Sequence, residues 1–323
     1  MLVLVVALAL SAPSPARAAG RWESGRVVHA GAKRTWRLYL PPVVAPPGRS
    51  LPLLIVLHGG GGRGSGMARL LNGRFEKLAD RDEFFVAYPE GRCHQWTDGR
   101  EPEVSRAHAE QVDDVGFIRE LIGDVAKRHA VDPARVYACG ISNGAFMSCR
   151  LACEAADRIA AVALVAGTIP LRLAPACAPA RAVPVMLICG TADPLVPFAG
   201  GAIQLRKGWK ERGEVLGARE AAARWAALDG CPPAPSPAEE LPDLDPRDRT
   251  TITREIWGPG RDGAAVVLLT VRGGGHTWPG ARQYLPQALV GPVSHDLDGC
   301  AAIWTFLRRH ALPRVPAGMM KRS

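Results

Sequence analysis

Four short segments carry the side chains that could do chemistry. In Gly140-Ile141-Ser142-Asn143-Gly144 a serine stands between two glycines. Where such a segment turns from a strand into a helix, the turn lifts the hydroxyl above the sheet and the glycines let the two backbones approach. His58-Gly59-Gly60-Gly61-Gly62 is a glycine run whose backbone N–H groups are unshielded. Two of them, or one with the N–H of Asn143, can bind an oxyanion, so Gly59, Gly60 and Asn143 are the candidate donors. Gly273-Gly274-Gly275-His276-Thr277-Trp278-Pro279 offers a histidine as general base. Gly190-Thr191-Ala192-Asp193-Pro194 offers a carboxylate that accepts the imidazole N–H and fixes its tautomer. Together these groups define acyl transfer. Ser142 attacks a carbonyl, His276 moves the proton, Asp193 orients the ring, and water clears the acyl-enzyme. That chemistry needs neither a metal nor an organic cofactor.

Competing readings exist for several of these residues. His58 is a second candidate base, but its place in the oxyanion segment assigns it to bracing that loop. Asp193 is also a plausible turn cap. Asp113 and Asp114 are better explained as acids at a helix N-terminus than as triad members. Trp96 and Trp278 are expected to flank the cleft as substrate-binding aromatics, the alternative being two core indoles. Gly200–Gly213, with Trp209 and several basic residues, follows the triad acid and reads as a rim or lid, or else as a solvated loop.

The elements that must position these groups follow from the apolar pattern. Val27–His29 and Thr35–Tyr39 read as short strands around a turn at residues 30–33, and a Pro-rich connector spans residues 41–47. Leu53–Leu57 is an unbroken apolar run, as a strand covered on both faces requires. Further strands are predicted at Phe84–Ala87, Val136–Cys139, Ile159–Val165, Val183–Cys189, Thr251–Trp257 and Ala265–Val271. Helices are predicted at Val112–His129, Gly144–Cys153, Ala218–Leu228 and Gly299–His310, and 231–250 reads as an exposed connector. Alternating strands and helices predict one α/β domain over residues 19–323 with a mainly parallel sheet. The chain order Ser142, Asp193, His276 is that of α/β-hydrolases.

Composition narrows the class. In 323 residues, 47% are hydrophobic, enough for a large core, so general disorder is excluded. The formal charge of +9 comes without any Lys/Arg run longer than two residues, which reads as a solvated surface and argues against a nucleic-acid partner. Leu2–Leu10 is wholly apolar and is followed by Ala16-Arg17-Ala18, a pattern of a cleaved secretory signal over residues 1–18, although no Lys or Arg precedes the apolar run. No later stretch is long enough to span a bilayer, and the first cysteine is Cys93, so no lipidated N-terminal Cys is expected. A secreted or periplasmic chain without membrane contact is therefore expected. Eight cysteines cannot be paired from sequence. Cys139 and Cys189 end apolar runs and read as core residues, and Cys149 with Cys153 lacks the second pair that a zinc site needs.

Gly140–Gly144, the glycine run at His58, Asp114-Val115-Gly116-Phe117-Ile118, Gly190–Pro197 and Gly274–Gly280 together resemble the polyhydroxybutyrate depolymerase family, close to the feruloyl and acetylxylan esterases of carbohydrate esterase family 1. The resemblance runs from Thr35 to near His310. It implies a secreted serine esterase with Ser142, Asp193 and His276 as triad, and a bridge between Cys153 and Cys177. Relatives often carry a Cys near Trp257-Gly258-Pro259 to partner the one at Cys231; here there is none, so Cys231 is expected to be free or differently paired. The chain ends shortly after His310 with no polymer-binding module, which favours soluble or oligomeric esters as substrates. Hydroxyalkanoate oligomers and feruloyl-type esters lead. Acetylxylan and other carbohydrate esters are the alternative, ahead of a peptidase or a non-catalytic binding protein on the same scaffold.

Overall fold

The computed structural model describes residues 20–42, 48–204 and 211–313. The predicted signal at 1–18 and Trp209 lie outside them. Twelve strands are described: β1 Arg21–His29, β2 Ala32–Leu40, β3 Leu51–Leu57, β4 Phe85–Pro89, β5 Val131–Ile141, β6 Ala161–Val165, β7 Val185–Gly190, β8 Gly200–Ala202, β9 Glu214–Leu216, β10 Glu239–Glu240, β11 Thr251–Trp257 and β12 Val266–Arg272. The helices are α1 Gly64–Leu70, α2 Arg74–Asp82, α3 Arg106–Ala109, α4 Asp114–Arg128, α5 Asn143–Glu154, α6 Ala218–Asp229, α7 Gln287–Val290 and α8 Gly299–Leu307. Ten strands form one sheet in the order β1-β2-β4-β3-β5-β6-β7-β12-β11-β10. From β4 to β12 every neighbouring pair is parallel, while β1, β2, β11 and β10 add antiparallel edges.

The apolar runs explain this order. All seven residues of β3 are buried. Leu53, Ile55 and Leu57 pack into a core shared with α4, α5 and α6, whereas Leu54 and Val56 pack into a second core with α1, α2 and α8. A strand whose successive side chains point to opposite faces needs apolar residues at every position when both faces are covered. Residues 136–141 of β5 and all of β6 and β7 obey the same rule, and Cys139 and Cys189 sit in these cores. The 231–250 connector is mostly exposed and contributes only the short edge strand β10.

At the first edge the strands are longer than predicted. β1 and β2 form a nine-residue ladder from Arg21↔Leu40 to His29↔Ala32, and Ala30 and Gly31 both have positive φ, as a tight two-residue hairpin demands. β1 alternates between exposed and half-buried positions, so its polar residues hide it from an apolar-run criterion. Asp113 caps α4 by accepting the Gly116 N–H at 2.8 Å, as expected. Asp114 does more than favour a helix terminus: it is fully buried, pairs with Arg34 on β2 at 2.5 Å, and accepts the Thr97 N–H at 2.7 Å.

Asp229, the last residue of α6, gives a test of this packing. It is fully buried; its Oδ1 accepts the Val183 N–H at 2.8 Å, and its Oδ2 has no partner among the described residues. Burial pushes its carboxyl up to about 7, against the opposing pull of the Val183 N–H, Arg261 and Arg181. The unfolded carboxyl titrates at about 4. Between those values the unfolded chain releases a proton that the folded chain keeps, so this group removes stability as pH rises through the window. Asp229→Asn retains the acceptor and abolishes the ionisation. Its Tm relative to the parent is expected to improve from pH 5 to pH 8; a constant difference across that range would contradict the burial argument.

Candidate active site

Parallel strands present their carboxyl ends on one edge, and the four motifs leave the sheet there. His58–Gly62 follows β3, Ser142 follows β5, Asp193 follows β7 and His276 follows β12. β3 pairs with β5 and β7 with β12, with β6 between the two pairs. Ser142 has φ 57° and ψ −122°, a left-handed φ that costs a non-glycine residue on the order of 1–3 kcal/mol. The turn is held by the Ser142 N–H donating to Val165 O at 2.9 Å and by the Phe146 N–H donating to Ser142 O at 3.0 Å. A Cβ on Gly140 would lie 2.5 Å from the Gly144 backbone and 2.8 Å from Leu57 O, so β3, β5 and α5 meet backbone to backbone.

The loops carrying Asp193 and His276 are joined in the same way. The Ala192 N–H donates to Gly274 O at 2.9 Å and the Gly273 N–H to Thr191 Oγ1 at 2.9 Å. Asp193 Oδ1 accepts the N–H groups of Leu195 at 2.8 Å and Val196 at 2.9 Å. Its Oδ2 lies 2.8 Å from His276 Nδ1, and both side chains are almost fully buried. That bond places the proton on Nδ1 and leaves Nε2 as an acceptor. Tyr284 donates to His276 O at 2.9 Å, fixing the loop from the other side. Ser142 and His276 line one cavity of about 590 Å³ without a direct hydrogen bond between hydroxyl and ring. Catalytic hydrogen bonds are often long before substrate is seated.

The glycine run forms the wall beside Ser142. A Cβ on Gly59 would lie 3.6 Å from the Ser142 Cβ, and one on Gly60 would lie 3.0 Å from the Gln95 side-chain amide. The N–H groups of Gly61 and Gly62 are consumed by His94 O at 2.8 Å and Gly59 O at 3.0 Å. The Gly60 N–H has no acceptor among the described residues. Asn143 opens α5, so its N–H has no acceptor within the helix. His58 has the bracing role. Its Nε2 accepts the Gly91 N–H at 2.9 Å, so its Nδ1 carries the proton and donates to Gly59 O at 2.8 Å. Burial holds its imidazole below the ordinary value, consistent with a neutral ring.

The two indoles correct the sequence reading. Trp96 and Trp278 are fully buried and neither lines the cavity. Trp96 instead ties the wall together: its Nε1 donates to His58 O at 2.9 Å, and its backbone exchanges hydrogen bonds with the Asn143 side chain at 2.8 and 2.9 Å. Trp278 packs edge-on against Phe75 in the core. Of the 200–213 segment, Ile203 and Arg212 line the cavity, as a rim would. Much of the lining is apolar, with Met67, Leu70, Phe146, Val196 and Leu285 among it.

Beneath the wall lies a buried ionic cluster that no motif announced. Asp98 Oδ2 accepts from Arg100 Nη2 at 2.8 Å and from Asn143 Nδ2 at 2.5 Å, and its Oδ1 lies 2.7 Å from His108 Nε2. Burial would raise the Asp98 carboxyl, but Arg100 and His108 hold it well below the usual carboxylate range. Among the described residues, no group of three or more His, Cys, Asp or Glu could hold a metal ion, and no helix is long and apolar enough to cross a membrane. Cys153 and Cys177 are bridged, as the resemblance implied, and Cys231 is free.

A mainly parallel sheet with helices on both faces, and motifs gathered at its carboxyl edge, define an α/β-hydrolase. The fold is similar to that of an acetyl xylan esterase from Aspergillus awamori, with a TM-score of 0.54 at 17% identity over 79% of this chain and 94% of that one. A family model described as esterase PHB depolymerase matches residues 34–208. A Nocardia uniformis subsp. tsuyamanensis protein named as an esterase, NocK, is 34% identical over 302 residues, which is 87% of this chain and 81% of NocK. Feruloyl esterase B of Piromyces equi is 33% identical over 167 residues, 51% of this chain but only 29% of that protein. The chain belongs to the esterase PHB depolymerase family and is a carboxylic ester hydrolase.

Asp98→Asn keeps the shape of the cluster and removes its charge, leaving the Arg100 guanidinium buried without a carboxylate. Removing one partner of such a pair costs roughly 3–5 kcal/mol. A fall in Tm of several degrees is the expected outcome by calorimetry; a Tm within a degree of the parent would show that the cluster carries no such load.

Proposed function

We propose that this chain is an exported serine esterase in which Ser142 is the nucleophile, His276 the general base and acid, and Asp193 the carboxylate that orients the imidazole. The observation that carries this reading is the 2.8 Å bond from His276 Nδ1 to Asp193 Oδ2, which turns a free Nε2 toward the cavity that Ser142 also lines. As Ser142 Oγ bonds to the ester carbonyl carbon, its proton passes to Nε2. The carbonyl oxygen gains charge and is met by the N–H groups of Gly60 and Asn143, with Gly59 at the edge of the pocket. Collapse of this intermediate breaks the bond to the alkoxy oxygen, and His276 returns the proton to the departing alcohol. Water, deprotonated by the same ring, then releases the acid and restores Ser142.

The apolar lining and the volume of about 590 Å³ suit acyl and alcohol parts of several carbons, such as hydroxyalkanoate oligomers or feruloyl-type esters. Carbohydrate acetyl esters are the second reading, supported by a bifunctional acetylxylan esterase/xylanase among the relatives, 26% identical over 275 residues. Export is supported by the apolar run Leu2–Leu10 ahead of Ala16-Arg17-Ala18 and by the Cys153–Cys177 bridge, since disulfides persist in oxidising compartments.

Ser142→Ala is expected to lower kcat on 4-nitrophenyl butyrate by several powers of ten, on the order of a millionfold. Turnover close to the parent's would overturn the assignment of the nucleophile. Hydroxybutyrate oligomers, methyl ferulate and acetylated xylan, assayed side by side, rank the substrate classes.

A further inference from the structure

The polar groups of the cavity are unevenly charged. Among the described residues, three arginines line it, Arg63, Arg100 and Arg212, and no Asp or Glu does. Arg100 is compensated, because Asp98 takes its guanidinium from behind. Arg212 is not. It is half-buried; its Nη1 donates to Val104 O at 2.7 Å, and it forms no ion pair with any described carboxylate. The same rim is stiffened by Arg100 Nη1, which donates to Arg212 O at 2.8 Å. Arg63, also at the cavity, likewise forms no ion pair with any described carboxylate.

A guanidinium held at one N–H by a carbonyl, and lining a cavity with no acidic side chain among its described lining residues, is a receptor for a planar anion. The geometry points to an ester substrate that itself carries a carboxylate, bound through Arg212, with Arg63 adding positive potential. This rests on the serine esterase reading above and narrows it. The ester would be a hydroxyacid oligomer with a free acid end, or a monoester of a diacid. In the first case the carboxylate leaves with the alcohol; in the second it stays with the acyl group.

Two substrate pairs separate these sources. On the acyl side, mono-4-nitrophenyl glutarate is compared with 4-nitrophenyl valerate. On the alcohol side, the dimer of 3-hydroxybutyrate is compared as free acid and methyl ester. Each kcat/KM is divided by the rate of hydroxide hydrolysis, so that intrinsic reactivity cancels. The parent protein is expected to favour the charged member of at least one pair by roughly tenfold or more, the scale of one charge-assisted hydrogen bond. That preference should shrink as ionic strength rises. In Arg212→Gln the charged-to-neutral ratio is expected to fall to within about twofold of unity, and Arg212→Lys to retain part of it. Arg309→Gln, which alters net charge away from the cavity, should leave the ratio alone. No preference in either pair, or a ratio unchanged in Arg212→Gln, overturns the inference. The salt series on the parent decides the matter even where a variant folds poorly. Neutral esters hydrolysed without charge preference would sink this inference alone, whereas failure to hydrolyse any ester would sink the serine esterase reading beneath it.

Discussion

Direct backbone contact at the carboxyl edge of the parallel sheet is the constraint on which the rest of this structure depends. The chain must leave β5, turn within one residue and enter α5 while β3 runs alongside, and no side chain fits between them. Gly140 and Gly144 are the answer to that requirement, since a Cβ on either would run into the backbone of the neighbouring segment. Ser142 then carries the positive φ of the turn, and its strain is tolerated because Val165 O and the first turn of α5 hold both sides. Gly190 plays the same part between β7 and the loop after β12, where a Cβ would meet the carbonyls of Gly274 and Gly275. The four motifs converge because the strands are parallel and the crossings are bare.

A second layer holds the first in place by charge. Asp98, Arg100, His108 and the Asn143 side chain form one buried network, and Asp114 joins Arg34 on β2 to Thr97. Asp114 grips the segment that supplies both Asp98 and Trp96, and Trp96 in turn holds His58 and Asn143. The wall facing Ser142 is thus fixed by hydrogen bonds whose removal leaves buried donors without partners. Such networks cost more to break than they contribute when intact. Asn143 takes part twice, by its backbone at the cavity and by its side chain in the network beneath.

Much of this was legible in the sequence, for reasons that can be stated residue by residue. The unbroken run Leu53–Leu57 marked a doubly covered strand, and glycine-rich segments after apolar runs located the site loops. The family resemblance anticipated the Cys153–Cys177 bridge. Other features left no local trace. α2 is made largely of charged residues, and β1 is a polar edge strand, so neither shows an apolar run. Asp98 lies 45 residues from Asn143 in the chain, and nothing in its surroundings announces the contact. Trp278 sits inside a site motif in sequence and Trp96 lies far from one, yet both indoles turn into the interior, where large apolar area is best buried. Nearness to a catalytic motif reports where the backbone goes, whereas the direction of a side chain is decided by packing from elements far away.

The central claim is that Ser142 is made nucleophilic by His276 within this scaffold. Its most direct test is chemical labelling with a fluorophosphonate, followed by intact mass and peptide mapping. A single adduct on Ser142 is predicted in the parent protein, with labelling strongly slowed in His276→Ala. An unlabelled protein, or an adduct on another residue with Ser142 untouched, would contradict it.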